Sequence, residues 1–420
     1  MSNDNKLKSI TEPRDKSSGL NLPKHQGKAT PEGLRPELRI IPSTTVPQWG
    51  STIDLDFREK GNYVSNFIVQ MNVSQVTATV AGSANIYLAP MVDWFYKVEI
   101  LIGGETIETK WTHQMFLESQ LFLTDDERLK LNNAQGNYQN ATQRYNKNQM
   151  TTADYFFPIK SLFDDGCIPC LTSKHDVKIR LFLNPLVSVV QTAGNATYTG
   201  LTGGTINSCN LLANVVKISS THANALEKSI SKAPHHYLFH DICYLSNPYS
   251  ATQGGQTQIT LTSITGRVAW LAFCIQPVSA NLTQSNLNYY TTIQSFEVRD
   301  SGSANIVGGQ PLTDGMDKLL MQQYTKSTYL TENALGSDLA GAVMDNGANV
   351  YSYSWSIDPF KALRTGSSSG SYFFTGQETL TINWTSSIST STQYQISVFA
   401  FTESAYEHGV NEVKKMKLTK

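Results

Sequence analysis

Gly366-Ser367-Ser368-Ser369-Gly370 has the Gly-x-Ser-x-Gly form of a nucleophile elbow, the turn with which hydrolases hold a serine oxygen exposed for attack on an ester or amide. That chemistry needs a strand before the serine and a helix after it. Here the run lies in a Ser/Gly loop and precedes Tyr372-Phe373-Phe374. The elbow's context is missing, so no catalytic serine is assigned. Cys167-Ile168-Pro169-Cys170 with His175 has ligand types that suit zinc. A closed zinc site takes four ligands, and no second pair stands at a finger-like distance. These thiols read as loop and core residues, and no metal ligand is assigned.

His235, His236 and His240 cluster on a strand-like segment, where a period of two puts His236 and His240 on one face and His235 on the other. A pH-sensitive contact is the functional reading, and packed or solvated histidines are the plain one. Asp125-Asp126 fits a helix N-terminus and Asp164-Asp165 a loop, so neither is read as the carboxylate pair of a glycosidase. Asn72, Asn140, Asn195, Asn281 and Asn383 each begin an Asn-x-Ser/Thr triplet. No apolar leader precedes them, and glycans are not expected there. The sequence therefore predicts no catalytic residue, no cofactor-binding residue, no metal ligand and no cofactor.

The elements that would have to position any site are predominantly β. Of 420 residues 40% are hydrophobic and only 16% charged, with Ser, Thr, Asn, Gln and Gly crowding the segments between apolar runs. Many short strands joined by polar loops follow from that balance. The length suits two domains. A formal net charge of −1 gives the body no basic field to hold nucleic acid by counterion release. Five scattered cysteines with no leader ahead of them predict a reducing compartment and small core thiols. The longest strongly apolar stretch, Val268 to Ile275, is far shorter than the ~20 residues of a membrane helix.

Residues 1–40 form an expected flexible arm, mildly basic through Lys6, Lys8, Arg14, Lys16, Lys24, Lys28 and Arg35. From Ser51 the pattern alternates: Ile53, Leu55 and Phe57, then Phe67, Val69, Met71 and Val73, then Val98, Ile100 and Ile102. Gly103-Gly104 offers the positive φ angles of a tight hairpin before Thr106 to Thr109. Met115, Phe116, Ser119, Phe122 and Leu123 then fall at helical spacing, and Thr124-Asp125-Asp126-Glu127 has the form of a capping box. Two short helices are predicted. Strands resume at 154–159, 177–183 and 212–218, and His222 to Ser231 reads as a helical linker ending near Pro234.

The second half replays this order about 200 residues later. Tyr96 to Ile102, Gly103-Gly104 and the helix around Met115 are answered by Ile293 to Arg299, Gly308-Gly309 and Leu312 to Tyr324. The aromatic, proline-containing segment Asp154 to Phe163 is answered by Tyr353 to Leu363, Val177 to Leu183 by Glu378 to Trp384, and Leu212 to Ile218 by Tyr394 to Phe401. The expected fold is all-β: two tandem jelly-roll β-sandwiches with short inserted helices. Its parts are an arm (1–40), a first jelly roll (41–222), a linker (223–236), a second jelly roll (237–408) and a basic tail (409–420) carrying Lys414, Lys415, Lys417 and Lys420. The loops 188–207 and 330–349 are long enough to predict exposed towers or interlocking contacts.

On Tyr96 to Glu105 with the helix that follows, and on the aromatic-proline segment ending in Val177 to Pro185, the chain resembles the double jelly-roll major capsid proteins of tailless icosahedral DNA viruses, especially polinton-like viruses and virophages. The resemblance runs over residues 45 to 410. It implies a structural, non-enzymatic subunit whose homotrimer forms a pseudo-hexameric capsomer and tiles a virion shell assembled inside the host cell. The implied partners are the chain itself, neighbouring capsomers and minor capsid or penton proteins, without sequence-specific nucleic acid. An inner membrane is left open. The reading from another class is a two-domain carbohydrate-binding or hydrolytic β-sandwich protein, because jelly rolls host both.

Overall fold

The protein is described by a computed structural model covering residues 35–57, 62–83, 85–123, 125–136, 141–161, 176–192, 196–278, 291–313, 350–356, 370–409 and 413–417. Eight long strands build the first half: β1 (Arg35–Pro42), β2 (Thr52–Phe57), β3 (Asn62–Ser74), β4 (Phe95–Ile102), β5 (Glu105–Trp111), β6 (Thr152–Ile159), β7 (Val177–Leu183) and β8 (Ile206–Lys217). They pair in the orders β1-β8-β3-β6 and β2-β7-β4-β5. The second half follows with β9 (His235–Ser250), β10 (Gln256–Thr260), β11 (Thr265–Pro277), β12 (Ser295–Arg299), β13 (Leu312–Thr313), β14 (Val350–Ser354), β15 (Thr379–Asn383) and β16 (Gln393–His408). These pair as β9-β16-β11-β14 and β10-β15-β12-β13. Numbered within its own half, each strand has the same neighbours in both: 1-8-3-6 and 2-7-4-5. Both halves are jelly rolls, and the pairs matched in the sequence occupy equivalent places, β4 with β12, β6 with β14, β7 with β15 and β8 with β16.

Alternation decides which side of each strand is inside. Ile53, Leu55 and Phe57 enter the first core while Asp54 and Asp56 face out, where Asp54 accepts from Arg180 Nε at 2.8 Å and pairs with Lys178 at 3.2 Å. Phe67, Val69 and Met71 meet them from the facing sheet. The second core gathers Phe273, Phe296 and Tyr351, with Phe273 and Phe296 edge to face at 5.0 Å, and closes over Trp384. The hairpin at Gly103-Gly104 forms as its φ angles of 63° and 88° require. Gly308 and Gly309 also adopt positive φ but sit in the longer β12–β13 connection, whose tight turn is instead closed by Asp300 on Ser303 and Ala304.

Several expectations need correction. Strand β1 begins at Arg35, inside the segment expected as arm, because Ile41 packs on the first core and Glu37 pairs with Lys217 of β8 at 3.0 Å. Three helices rather than two cross between β5 and β6: α1 (Thr112–Phe122), α2 (Asp125–Ala134) and α3 (Ala141–Asn148). Helix α3 is anchored by a polar residue, Asn148, whose Nδ2 donates to the carbonyls of Val76 at 2.9 Å and Ile86 at 3.1 Å. The stretch 188–207 is not a free loop, since Val190–Thr192 and Tyr198–Gly203 pair with Ile86–Leu88 and Val76–Val80. The basic tail holds a strand, β17 (Val413–Lys417), paired with Ser404 to His408 of β16. The linker is helix α4 (Ser220–Lys232), as expected. The helical segment after Leu312 and the loop 330–349 fall mostly or wholly outside the described residues.

Candidate functional site

Val268 to Ile275 reads as an unbroken apolar run because β11 is buried on both sides. Val268, Leu271, Phe273 and Ile275 face the second core, while Trp270, Ala272 and Cys274 face the first jelly roll. Strand β16 does the same, with Phe399 and Phe401 on the outer side. Over these residues lie Phe116 and Leu117 of α1, with Trp111 beside Tyr244 at 4.5 Å and Tyr244 stacked on Phe399 at 4.9 Å. Helix α1 is thus a two-sided wedge, its Met115 packing on the first core and its next two residues on the second sheet. The helical spacing in the sequence identified the wedge without identifying its second face.

A polar seam borders this apolar contact. Glu108 and Lys110 of β5 are both buried and pair at 3.3 Å. His240 of β9 is buried with neither ring nitrogen hydrogen-bonded among the described residues. Burial, and behind it the charges of Lys110 and Lys160, push its imidazole down to about 4. Lys415 of β17 pairs with buried Asp241 at 2.7 Å, and its backbone N–H donates to Glu105 Oε1 at 3.4 Å. The C-terminal strand therefore ties β5 of one jelly roll to β9 of the other.

The suspected site residues fall apart in space or outside the described residues. His236 is half exposed, 3.8 Å from Glu407, whereas His235 and His240 are buried, so the three act as separate groups. Asp126 is exposed in the first turn of α2, as expected of a helix start. Cys167, Cys170, His175, Asp164, Asp165 and Ser368 lie outside the described residues. Among those described, no group of three or more His, Cys, Asp or Glu side chains could hold a metal.

One pairing of chemical types was invisible in the sequence: Cys274 Sγ lies 3.9 Å from His113 Nδ1, two residues 161 positions apart. A Cys–His pair acts as a nucleophile only where the thiolate forms and substrate can reach it. Burial pushes His113 down to about 4, and Cys274 is sealed between the jelly rolls. This pair is packing. Cys209 is likewise shut in the first core, where burial pushes its thiol up to about 12.

No family model matches the sequence, and no curated protein matches it. Solved structures do. PBCV-1 VP54, fitted into a reconstruction of the virophage Sputnik, superposes with a TM-score of 0.65 at 14% identity, covering 92% of this chain and 97% of that one. The Faustovirus major capsid protein gives 0.61 at 9% identity over 94% and 92% of the two chains. A chain of the Sputnik virophage particle gives 0.59 at 9% over 97% and 93%. The fold is the double jelly roll. Its two units abut through α1 and β5 of the first and the outer face of β9-β16-β11, with β17, of the second, which is the one extended contact surface the described residues display between them.

Proposed function

We propose that the chain is a structural shell subunit, the major capsid protein of a tailless icosahedral DNA virus, which trimerises into pseudo-hexameric capsomers that tile the virion. The observation that carries this reading is end-to-end coverage: over 90% of this chain aligns with over 90% of a chain of the PBCV-1 virus capsid and of the Faustovirus major capsid protein. The alignment spans both jelly rolls, so the resemblance extends beyond a single sandwich. Among the described residues, the Cys274–His113 pair is sealed and the histidine trio is split, so neither offers a reactive group to a substrate. Localisation in the virion, and contact with neighbouring capsomers and with minor or penton proteins, follow from that role.

Size-exclusion chromatography with light scattering tests the proposal. A species of three times the 46.4 kDa chain, or larger shells visible by negative-stain microscopy, is the expected result. A stable monomer at micromolar concentration would remove it and favour a glycan-binding or hydrolytic sandwich.

A further inference from the structure

The shell reading leaves the buried histidines of the seam without a role. Strand β17 lies along the stretch of β16 that pairs with the start of β9, so three strands run side by side. His408 stands between His235 and Val413, and Tyr406 between Tyr237 and Lys415. From this edge β17 reaches across the contact between the halves. Lys415 Nζ meets buried Asp241 of β9 at 2.7 Å, and its backbone N–H donates to Glu105 of β5. His240 sits one residue before Asp241. His235 and His408 are buried too, but each has a hydroxyl beside it, Ser229 of α4 at 3.2 Å and Tyr406 at 3.0 Å. Buried polar groups are ordinarily hydrogen-bonded. His240 has no partner at either ring nitrogen.

The carboxylates around it are already engaged. On β5, Glu108 pairs with Lys110 and Glu105 takes the Lys415 N–H; on β9, Asp241 holds Lys415. On β16, Glu403 stands opposite His240 with Arg267 of β11 3.9 Å away, and Glu407 faces Lys414 of β17 and His236. Lys417 of β17 stands opposite Ser404. The charges that act on His240 are the positive ones of Lys110 and of Lys160 beyond β6. A proton taken up there meets no free carboxylate and stands against two cations. We infer that this seam is an acid-operated latch: protonation of His240 frees β17 and parts β5 from β9 while both sandwiches stay folded. The latch goes beyond the shell-subunit reading and does not depend on it. Its sign follows from the closed imidazole, held down to about 4, and its return to the ordinary 6.5 when water reaches it. Between those values the open form binds more protons, so opening grows as pH falls from about 6.5 and gains nothing further below about 4.

Hydrogen exchange of the full chain, read by mass spectrometry and corrected for the intrinsic rate, tests the latch. Between pH 8 and pH 5 the protection of Val413–Lys417 should fall about thirtyfold, the factor that a shift from about 6.5 to about 4 gives at pH 5. Protection of Thr379–Asn383, in the second core, should hold. His240→Leu and His240→Gln, both neutral at every pH, should each remove the fall, and either one that folds suffices. His113→Leu should leave it in place, although His113 is buried in the apolar part of the same contact. Unchanged protection of Val413–Lys417 in the wild-type chain overturns the inference whether or not a variant folds. Equal loss in Thr379–Asn383 overturns it in favour of general unfolding. A fall that survives in the His240 variants, or that His113→Leu removes, places the deciding proton elsewhere and overturns it equally.

Discussion

His240 and His113 are the residues through which acid should act. His240 faces Lys110 and Glu108 of β5 and Glu403 opposite it on β16, with Asp241 adjacent and Lys160 contributing charge, while His113 faces Cys274 and the ring of Phe399. Both imidazoles are held near 4 by burial, below the 6.5 of an unfolded chain. Between those values the unfolded chain binds more protons than the folded one, so stability falls as pH drops from about 6.5 to about 4 and levels off below. Each histidine contributes on the order of 3 kcal/mol to that loss. His240→Leu should therefore melt near wild type at pH 8 and above it at pH 5, which differential scanning fluorimetry at the two pH values checks. A packing change at the same seam should act at every pH. Phe399→Ala removes a fully buried ring that stacks on Tyr244, and should cost about 3–5 kcal/mol in urea unfolding at neutral and acid pH alike.

At the scale of elements, strands whose alternation is written in their own residues were legible, and those completed by a distant partner were not. Ile53-Asp54-Leu55-Asp56-Phe57 announces a half-buried strand by itself. In β17, Val413-Lys414-Lys415-Met416-Lys417 reads as a solvated basic tail until Glu407 stands opposite Lys414 and Asp241 reaches Lys415. Strand β1 was hidden likewise, because Leu38 and Ile40 point out of the body and the charged Glu37 and Arg39 alternate with them. Helix α3 carries its anchor on a polar side chain, Asn148, which an apolar pattern cannot show. The Cys274–His113 contact and the polar seam depend on the second half docking on the first, which no local spacing encodes.

The elements so recovered are testable. Lys415→Glu sets a carboxylate against buried Asp241 and should cost about 2–4 kcal/mol, read as a lower urea midpoint. Gly203→Ala should cost roughly 2 kcal/mol or more, because a Cβ there would lie 2.0 Å from the Gln75 carbonyl oxygen at a φ of +77°. Its effect should appear as faster hydrogen exchange in Val76–Val80, the strand that pairs with it.

For the whole molecule, the decisive feature is that neither half closes its own surface. The second jelly roll alone would leave Ile242, Trp270, Ala272, Phe399 and Phe401 without the cover that Trp111, Phe116 and Leu117 of the first half supply. The first core extends across the boundary to include Phe239 and Tyr406 of the second half. An apolar face of that size in water drives association or aggregation. Expressed separately, residues 233–420 should therefore be insoluble or aggregate, and residues 35–232 should be destabilised by loss of Phe239 and Tyr406. Co-expression of the two pieces should restore a soluble complex, since the α4 linker is a tether rather than part of the buried contact in which α1 and β11 meet. Calorimetry of the intact chain should give a single cooperative transition, because unfolding either jelly roll strips the cover from the other. Two well-separated transitions, or a soluble monomeric second half, would show the halves to be independent domains joined by a weak seam.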